Sequence, residues 1–258
     1  MAILEMEGVS KFFGGLAAVS HLSFSLSLPE EILGLIGPNG AGKTTVFNLI
    51  TGQYRPSEGR IRFQGREIGG EKPHRIARGG IARTFQATSL FFEEAVLTNI
   101  LISRHCRLKS GIWGALVIPP FTAEEERRAL DKSMKILETV GLASKSNEYP
   151  HNLTNAEQRI LMMAMALATD PSLVLLDEPS AGMRPHETLT VMNLIRKIKE
   201  LGIGVILIEH DMKVVMNTCD RIVVLNFGNK IAEGTPEEIR ANPSVIEAYL
   251  GRRTRVEG

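Results

Sequence analysis

Cysteine is scarce in this chain: Cys106 and Cys219 are the two among 258 residues, far apart and without metal-ligand spacing. Two cysteines without metal-ligand spacing, alongside 10 Met, fit a reducing compartment with no disulfide framework, and both are expected to be buried thiols. Long apolar runs are missing as well. The stretch "GIWGALVIPPF" at 111–121 falls well short of the roughly 20 residues a membrane helix needs. The opening "MAILEMEGVSKFF" has no basic segment followed by a long apolar one, so no secretory signal is expected. An excess of one charge is also lacking. Thirty Lys plus Arg against 29 Asp plus Glu leave +1, which argues against broad electrostatic binding, and no nucleic-acid partner is expected. What is plentiful is hydrophobic content, 43%, enough for one large domain or two small ones. A cytoplasmic, globular protein is expected, with any membrane contact made through a partner.

The N-terminal third reads as short strands, "AILEMEGVS", "SFSLSL", "EILGLIG" and "GRIRFQG". From about 122 the period becomes helical. Thr122 and Glu125 form a candidate capping box, and Ala129, Ile136, Leu137 and Val140 share an apolar face that Gly141 ends. Further on, "SLVLLDEP" and "GIGVILIEHD" are buried-strand runs flanking the helical "ETLTVMNLIRKIKELG", an alternation that implies a parallel sheet. "RIVVLNFGNKIAEG" reads as a hairpin, and "TPEEI" as a helix start with Thr235 as cap, Pro236 first and Glu238 as box partner. "RRTRVEG" reads as a tail.

Two stretches carry chemistry. "GPNGAGKTT" fits G-x-x-x-x-G-K-[ST] and sits between an apolar strand and an apolar helix. Its residues Gly37, Pro38, Asn39, Gly40, Ala41, Gly42, Lys43, Thr44 and Thr45 are expected to wrap a nucleotide phosphate. Lys43 neutralises the outer phosphates and Thr44 offers a hydroxyl to Mg²⁺. Asp177 and Glu178 end an apolar strand, at the edge where open α/β sheets bind ligands. One can hold Mg²⁺ through water while the next activates the attacking water.

With "RTFQ", "SAGM" at 180–183 and "IEHD", these motifs stand in the order of ABC transporter ATPases, which the chain resembles over nearly its whole length. The resemblance implies a P-loop ABC ATPase core with a parallel sheet, an antiparallel β subdomain and an inserted helical subdomain. On that plan residues 1–86 form the N-terminal β subdomain with the P-loop, 87–165 the helical subdomain with the signature, 166–250 the C-terminal core, and 251–258 a tail. It also implies that Gln86 touches Mg²⁺ and relays to the membrane subunit, that Asp177 and Glu178 are the Walker B pair, that Ser180–Met183 form the D-loop, and that His210 contacts the γ-phosphate. Phe13 in "KFFGG" matches the aromatic on which adenine stacks, with Phe12 beside it.

"GIARTFQ", the insert at 107–129, "IEHDMKVVM", "DRIVVLNFGNKIAEGTPEEIR" and "VIEAYLG" are similar to the ATPases of branched-chain amino acid importers. Relatives that handle urea or amides and the lipopolysaccharide export ATPase share the plan. The insert holds the only Trp and an apolar patch, which packs within the helical subdomain or docks a membrane subunit. The family hydrolyses ATP with Mg²⁺ at the inner face of the plasma membrane. Its partners are transmembrane permease subunits, a second ATPase subunit and, indirectly, a periplasmic binding protein.

One segment departs from the pattern. Where the family carries a glycine-rich signature, this chain has "LTNAEQR", with Thr154, Asn155, Ala156 and Glu157. No donor is lost to proline, and the N-terminus of the following helix can still face an anion. Alanine at 156 is favourable if its backbone is helical, and costs roughly 1–2 kcal/mol if a positive φ is needed. The alternative reading is a nucleotide-binding subunit with one weakened composite site.

Overall fold

The computed structural model describes residues 2–27, 31–84, 90–105 and 123–250. Gln86, Cys106, the Thr122 cap, most of the 107–129 insert and the 251–258 tail lie outside them.

The described chain divides into two compact units, 1–81 with 172–258, and 82–171. The described residues form two sheets. Strands β1 (Ala2–Phe13), β2 (Leu16–Ser27), β4 (Glu58–Phe63) and β5 (Arg66–Glu67) form an antiparallel sheet in the order β2-β1-β4-β5. Here the expectation of short strands fails: β1 and β2 each run 12 residues. The pairing of β1 with β2 shifts register between Met6 and Val9, and Gly8 within that interval has φ 57°. Such a bulge carries a strand onward while breaking its apolar alternation, so the continuity is hidden in the sequence.

The second sheet runs β10-β9-β3-β8-β7-β6, made of β3 (Ile32–Ile36), β6 (Ile81–Arg83), β7 (Leu173–Asp177), β8 (Gly204–Ile208), β9 (Arg221–Asn226) and β10 (Asn229–Gly234). β3 pairs in parallel with β8 and β9, and β8 with β7. Every residue of β3 and β8 is buried, as their unbroken apolar composition requires when both faces of a parallel sheet are covered. Each Leu, Ile or Val buried there contributes about 1.5–3 kcal/mol relative to exposure. The "FGN" hairpin forms as read, with Phe227 and Gly228 at positive φ between antiparallel β9 and β10.

Helices α1 (Lys43–Ile50), α2 (Pro73–Gly79), α6 (Pro185–Glu200), α7 (Met212–Thr218), α8 (Pro236–Ala241) and α9 (Pro243–Leu250) belong to the first unit. The Thr235 capping box on Glu238, with Pro236 first in α8, is present as expected. Parallel order puts the C-terminal ends of β3, β8 and β7 side by side, so the turns that follow them share one edge of the sheet.

The second unit holds α3 (Val96–His105), α4 (Ala123–Val140) and α5 (Asn155–Leu167). Leu137 and Val140 of α4 are buried, on the face that the spacing indicated, and Gly141 at φ 80° follows the helix. Among the described residues no helix is long and apolar enough to cross a membrane.

Candidate functional site

The loop between β3 and α1 has a shape that its glycines make possible. Gly37 has φ 149°, and a Cβ there would meet the Leu225 carbonyl oxygen at 2.1 Å. Gly42 caps α1 in the left-handed region, φ 103°, where a Cβ would lie 2.4 Å from the Ala18 carbonyl oxygen. A side chain at either would collide with backbone. The loop is latched from outside by the β9–β10 turn: Gly228 donates its amide to the Ala41 carbonyl at 3.1 Å, and Ser20 donates to Gly228 at 2.9 Å.

Lys43 lies along this loop. Its Nζ donates to the carbonyls of Gly37 at 2.7 Å and Pro38 at 2.9 Å, and the residue is 7% exposed. Burial pulls its pKa below the ordinary lysine value, while the charges of Glu178 and Asp177 work in the opposite direction. The two carboxylates therefore lie within electrostatic reach of Lys43, although more than 130 residues separate them in sequence by numbering.

Asp177 is the last residue of β7, in register with Ile208 of β8. Glu178 turns out of the sheet at φ 49°, its amide donating to the Ile208 carbonyl at 2.9 Å. Its carboxylate accepts from His210 Nε2 at 2.5 Å, and both side chains stay partly exposed. Lys43, Thr44, Thr45, Glu178 and His210 line one cleft of about 450 Å³ together with Asn39, Gly40, Ala41 and Gly42. Phe13 lines its edge, with the ring edge-on to Tyr54 at 5.1 Å between centroids and Lys11 Nζ 5.2 Å from the ring centre. Phe12 is not among the lining residues.

Sequence reasoning missed Leu16, Phe227 and Gly228, which line the same cleft. The "FGN" turn was legible only as a hairpin, since nothing in its spacing says that it closes on the phosphate loop. It also passed over Glu209, a buried carboxylate directly before His210.

The donor set suits Mg²⁺. Among the described residues no group of three or more His, Cys, Asp or Glu could cage a metal. A hydroxyl such as that of Thr44 and a carboxylate such as that of Asp177 are oxygen donors of the kind that fit an ion that keeps waters and shares substrate phosphates. Gln86, the third expected ligand, lies outside the described residues.

The signature residues sit in the second unit. Asn155 and Ala156 are the first residues of α5, and neither has a positive φ. Thr154 is the N-cap: its hydroxyl accepts from the Glu157 amide, and the Glu157 carboxylate accepts from the Thr154 amide at 3.0 Å, a complete capping box. Burial would raise the Glu157 carboxyl, but the hydrogen bond from Lys145 at 2.6 Å and those from Thr154 hold it below its ordinary value. With the Glu157 amide taken by the Thr154 hydroxyl, the Asn155 and Ala156 amides are the ones at the N-terminus of α5 that lack an acceptor within the helix, the arrangement an anion can use.

The ABC transporter family model matches residues 19–181, and a second model, for the branched-chain amino acid ATP-binding cassette transporter, matches 229–254. The chain is 44% identical over 250 residues to the high-affinity branched-chain amino acid transport ATP-binding protein LivG of Escherichia coli K12, covering 96% of this chain and 98% of that one. It is likewise 44% identical over 250 residues to BraF of Pseudomonas aeruginosa, with the same coverage. The crystal structure of a nucleotide-free ATP-binding cassette from an ABC transporter superposes with TM-score 0.84 at 33% identity, covering 97% of this chain and 100% of the other. The ADP conformation of such a cassette gives 0.85 at 32% identity, covering 97% and 99%. The fold, the phosphate loop and these likenesses agree: the chain belongs to the ABC transporter ATP-binding family, in its branched-chain amino acid transport branch.

Proposed function

We propose that this chain hydrolyses MgATP to drive a membrane importer of branched-chain amino acids from the cytoplasmic face of the plasma membrane. The observation that carries the reading is the convergence of Lys43, Thr44, Glu178 and His210 on one cleft beside a phosphate-shaped loop. Loop amides and Lys43 bind and orient the phosphates, and Phe13 offers a ring face to the adenine. Thr44 and Asp177 would hold Mg²⁺, which when bound neutralises charge on the phosphates. Glu178 takes a proton from the attacking water as the water oxygen bonds to the γ-phosphorus and the bridging oxygen leaves. His210, hydrogen-bonded to Glu178, holds that carboxylate in place, and its contact with the γ-phosphate is assigned by resemblance. Gln86 is assigned to the Mg²⁺ and permease relay by resemblance alone.

The partners are two permease subunits and a second ATPase, whose signature completes the cleft described above, while "LTNAEQR" completes the second ATPase's site. A periplasmic binding protein would deliver the cargo. The test is reconstitution of the full transporter in vesicles. ATP-dependent accumulation of leucine, isoleucine or valine, with no uptake of urea or short amides, is the expected result. Uptake of urea instead would replace the cargo assignment.

The geometry of α5 supports a working signature. Because Ala156 is helical, glycine there relieves no strain, and Asn155→Gly plus Ala156→Gly is expected to change turnover less than about tenfold, about 1.4 kcal/mol of barrier. Thr154→Val should lower turnover more. It removes the hydroxyl donor and also the N-cap, worth about 1 kcal/mol. Steady-state ATPase of the complete transporter distinguishes the two. A hundredfold gain from the glycines would mark this site as degenerate.

A further inference from the structure

Carboxylates are rarely buried without partners, yet Glu209 is 3% exposed. Its Oε1 accepts from the Ser180 amide at 2.8 Å and from the Ser180 hydroxyl at 2.6 Å, and its Oε2 accepts from the His210 amide at 3.1 Å. Ser180 is itself buried. One carboxylate thus holds both turns of the candidate site: the turn after β7, with Glu178, and the turn after β8, with His210.

The backbone ladder does not do this job. It ends at Asp177 paired with Ile208 and at the single bond from the Glu178 amide to the Ile208 carbonyl. Past that point Glu178 leaves the strand at φ 49° and the turn continues through Ala181, whose amide donates to the Glu178 carbonyl at 3.2 Å. The 2.5 Å contact between His210 Nε2 and the Glu178 carboxylate needs the two turns at a set separation, and both are partly open to solvent. The bridge through Glu209 is a buried connection that supplies it.

We propose that Glu209 is a positioning residue for ATP hydrolysis, tying the Ser180 turn to His210 so that the histidine stays on Glu178. The proposal rests on the assignment of Glu178 and His210 made above. The carboxylate is needed at both ends. An amide of the same size has one accepting oxygen: turned toward Ser180, it sets its NH₂ against the His210 amide, and turned the other way it sets its NH₂ against the Ser180 amide, with only the Ser180 hydroxyl left to accept. Glu209→Gln therefore leaves at least one of the three donors unpaired, which weakens the bridge while keeping the volume.

The experiment measures kcat and KM for MgATP with the assembled transporter in lipid, for Glu209→Gln, Ser180→Ala, His210→Ala and each double variant with His210→Ala. Nucleotide binding of every variant and the turnover of Glu178→Gln are measured alongside. We expect Glu209→Gln to lower kcat at least about tenfold with KM within about threefold, the pattern of an interaction lost only at the chemical step. Ser180→Ala, which removes one of the donors, should lower kcat by a smaller factor. Once His210 is alanine, neither change should cost more than about twofold further, because residues that act through one another are not additive. A general loss of packing would add in full in that background. Should Glu209→Gln fail to assemble, the Ser180→Ala and His210→Ala cycle decides alone, and full additivity there overturns the proposal. Wild-type kcat in Glu209→Gln, with Glu178→Gln inactive, overturns it too while leaving the general-base assignment in place. Wild-type turnover in Glu178→Gln instead removes the assignment on which the proposal rests.

Discussion

Glu178→Gln is expected to leave MgATP binding intact and to slow hydrolysis by about 10²–10⁴-fold, the usual loss when a general base is removed. Glu178 lies past the end of β7, with its carboxylate on the cleft and its backbone held by Ile208. Glutamine keeps the length of the side chain and can still accept from His210, so the site's shape is retained while its capacity to take a proton is gone. Two readouts separate this from simple damage: nucleotide affinity by calorimetry, expected unchanged, and turnover by the reconstituted transporter. Slow hydrolysis with intact binding should also trap the nucleotide-bound assembly. Turnover within a few-fold of wild type would remove Glu178 from the role.

Lys43→Ala should act on the earlier step, weakening nucleotide binding by about 1.5–3 kcal/mol, the range for a lost hydrogen bond to a charged group. That is roughly ten- to 150-fold in affinity. The structure adds a second consequence. Lys43 Nζ also donates to the carbonyls of Gly37 and Pro38 from a largely buried position, so alanine removes bonds that help hold the loop as well as the charge offered to the phosphates. Lysine can swing its head from the carbonyls to a phosphate because its stem is flexible and its ammonium has three donors. Arginine is expected to be a poor replacement in this enclosed site. Unchanged ATP affinity of Lys43→Ala by calorimetry would contradict this account.

The two substitutions divide the cleft by function. Lys43 follows a glycine-rich loop whose conformation depends on Gly37 and Gly42, and it bears on binding. Glu178 follows a buried strand and bears on the chemical step. Loss of one should therefore appear mainly in affinity, and loss of the other mainly in kcat.

Much of this protein was determined by local sequence. A phosphate loop needs glycine at fixed offsets because backbone must approach backbone and ligand, so "GPNGAGKTT" announces itself in a short window. Buried parallel strands need unbroken apolar runs, so "VILI" and "LVLL" mark β8 and β7, and the carboxylates that end β7 are visible with it. The capping box at Thr235 was equally local. The backbone at Ala156 was left open by the sequence between helical and positive φ, its place at the start of a helix favouring the first, and the structure has it helical behind a Thr154–Glu157 capping box.

Tertiary structure alone decided the rest. The length of β1 was concealed because a bulge at Gly8 reverses the apolar alternation, and that of β2 because its own register shift, with His21 at φ 45°, does the same. Which of Phe12 and Phe13 borders the cleft depends on strand orientation and on Tyr54, a partner 41 positions away by number, not on either residue's chemistry. Phe227 and Gly228 join the site because the β9–β10 turn folds back onto Ala41, a contact between segments far apart in sequence. Glu209 is the clearest case. A glutamate at a strand end is ordinarily a solvated surface group, and only the arrival of the Ser180 turn from the neighbouring strand encloses its carboxylate and gives it donors to hold. Local pattern reports the backbone conformation and the chemistry each segment carries. Which groups face one another is set by sheet order and register, long-range contacts that no short window of sequence contains.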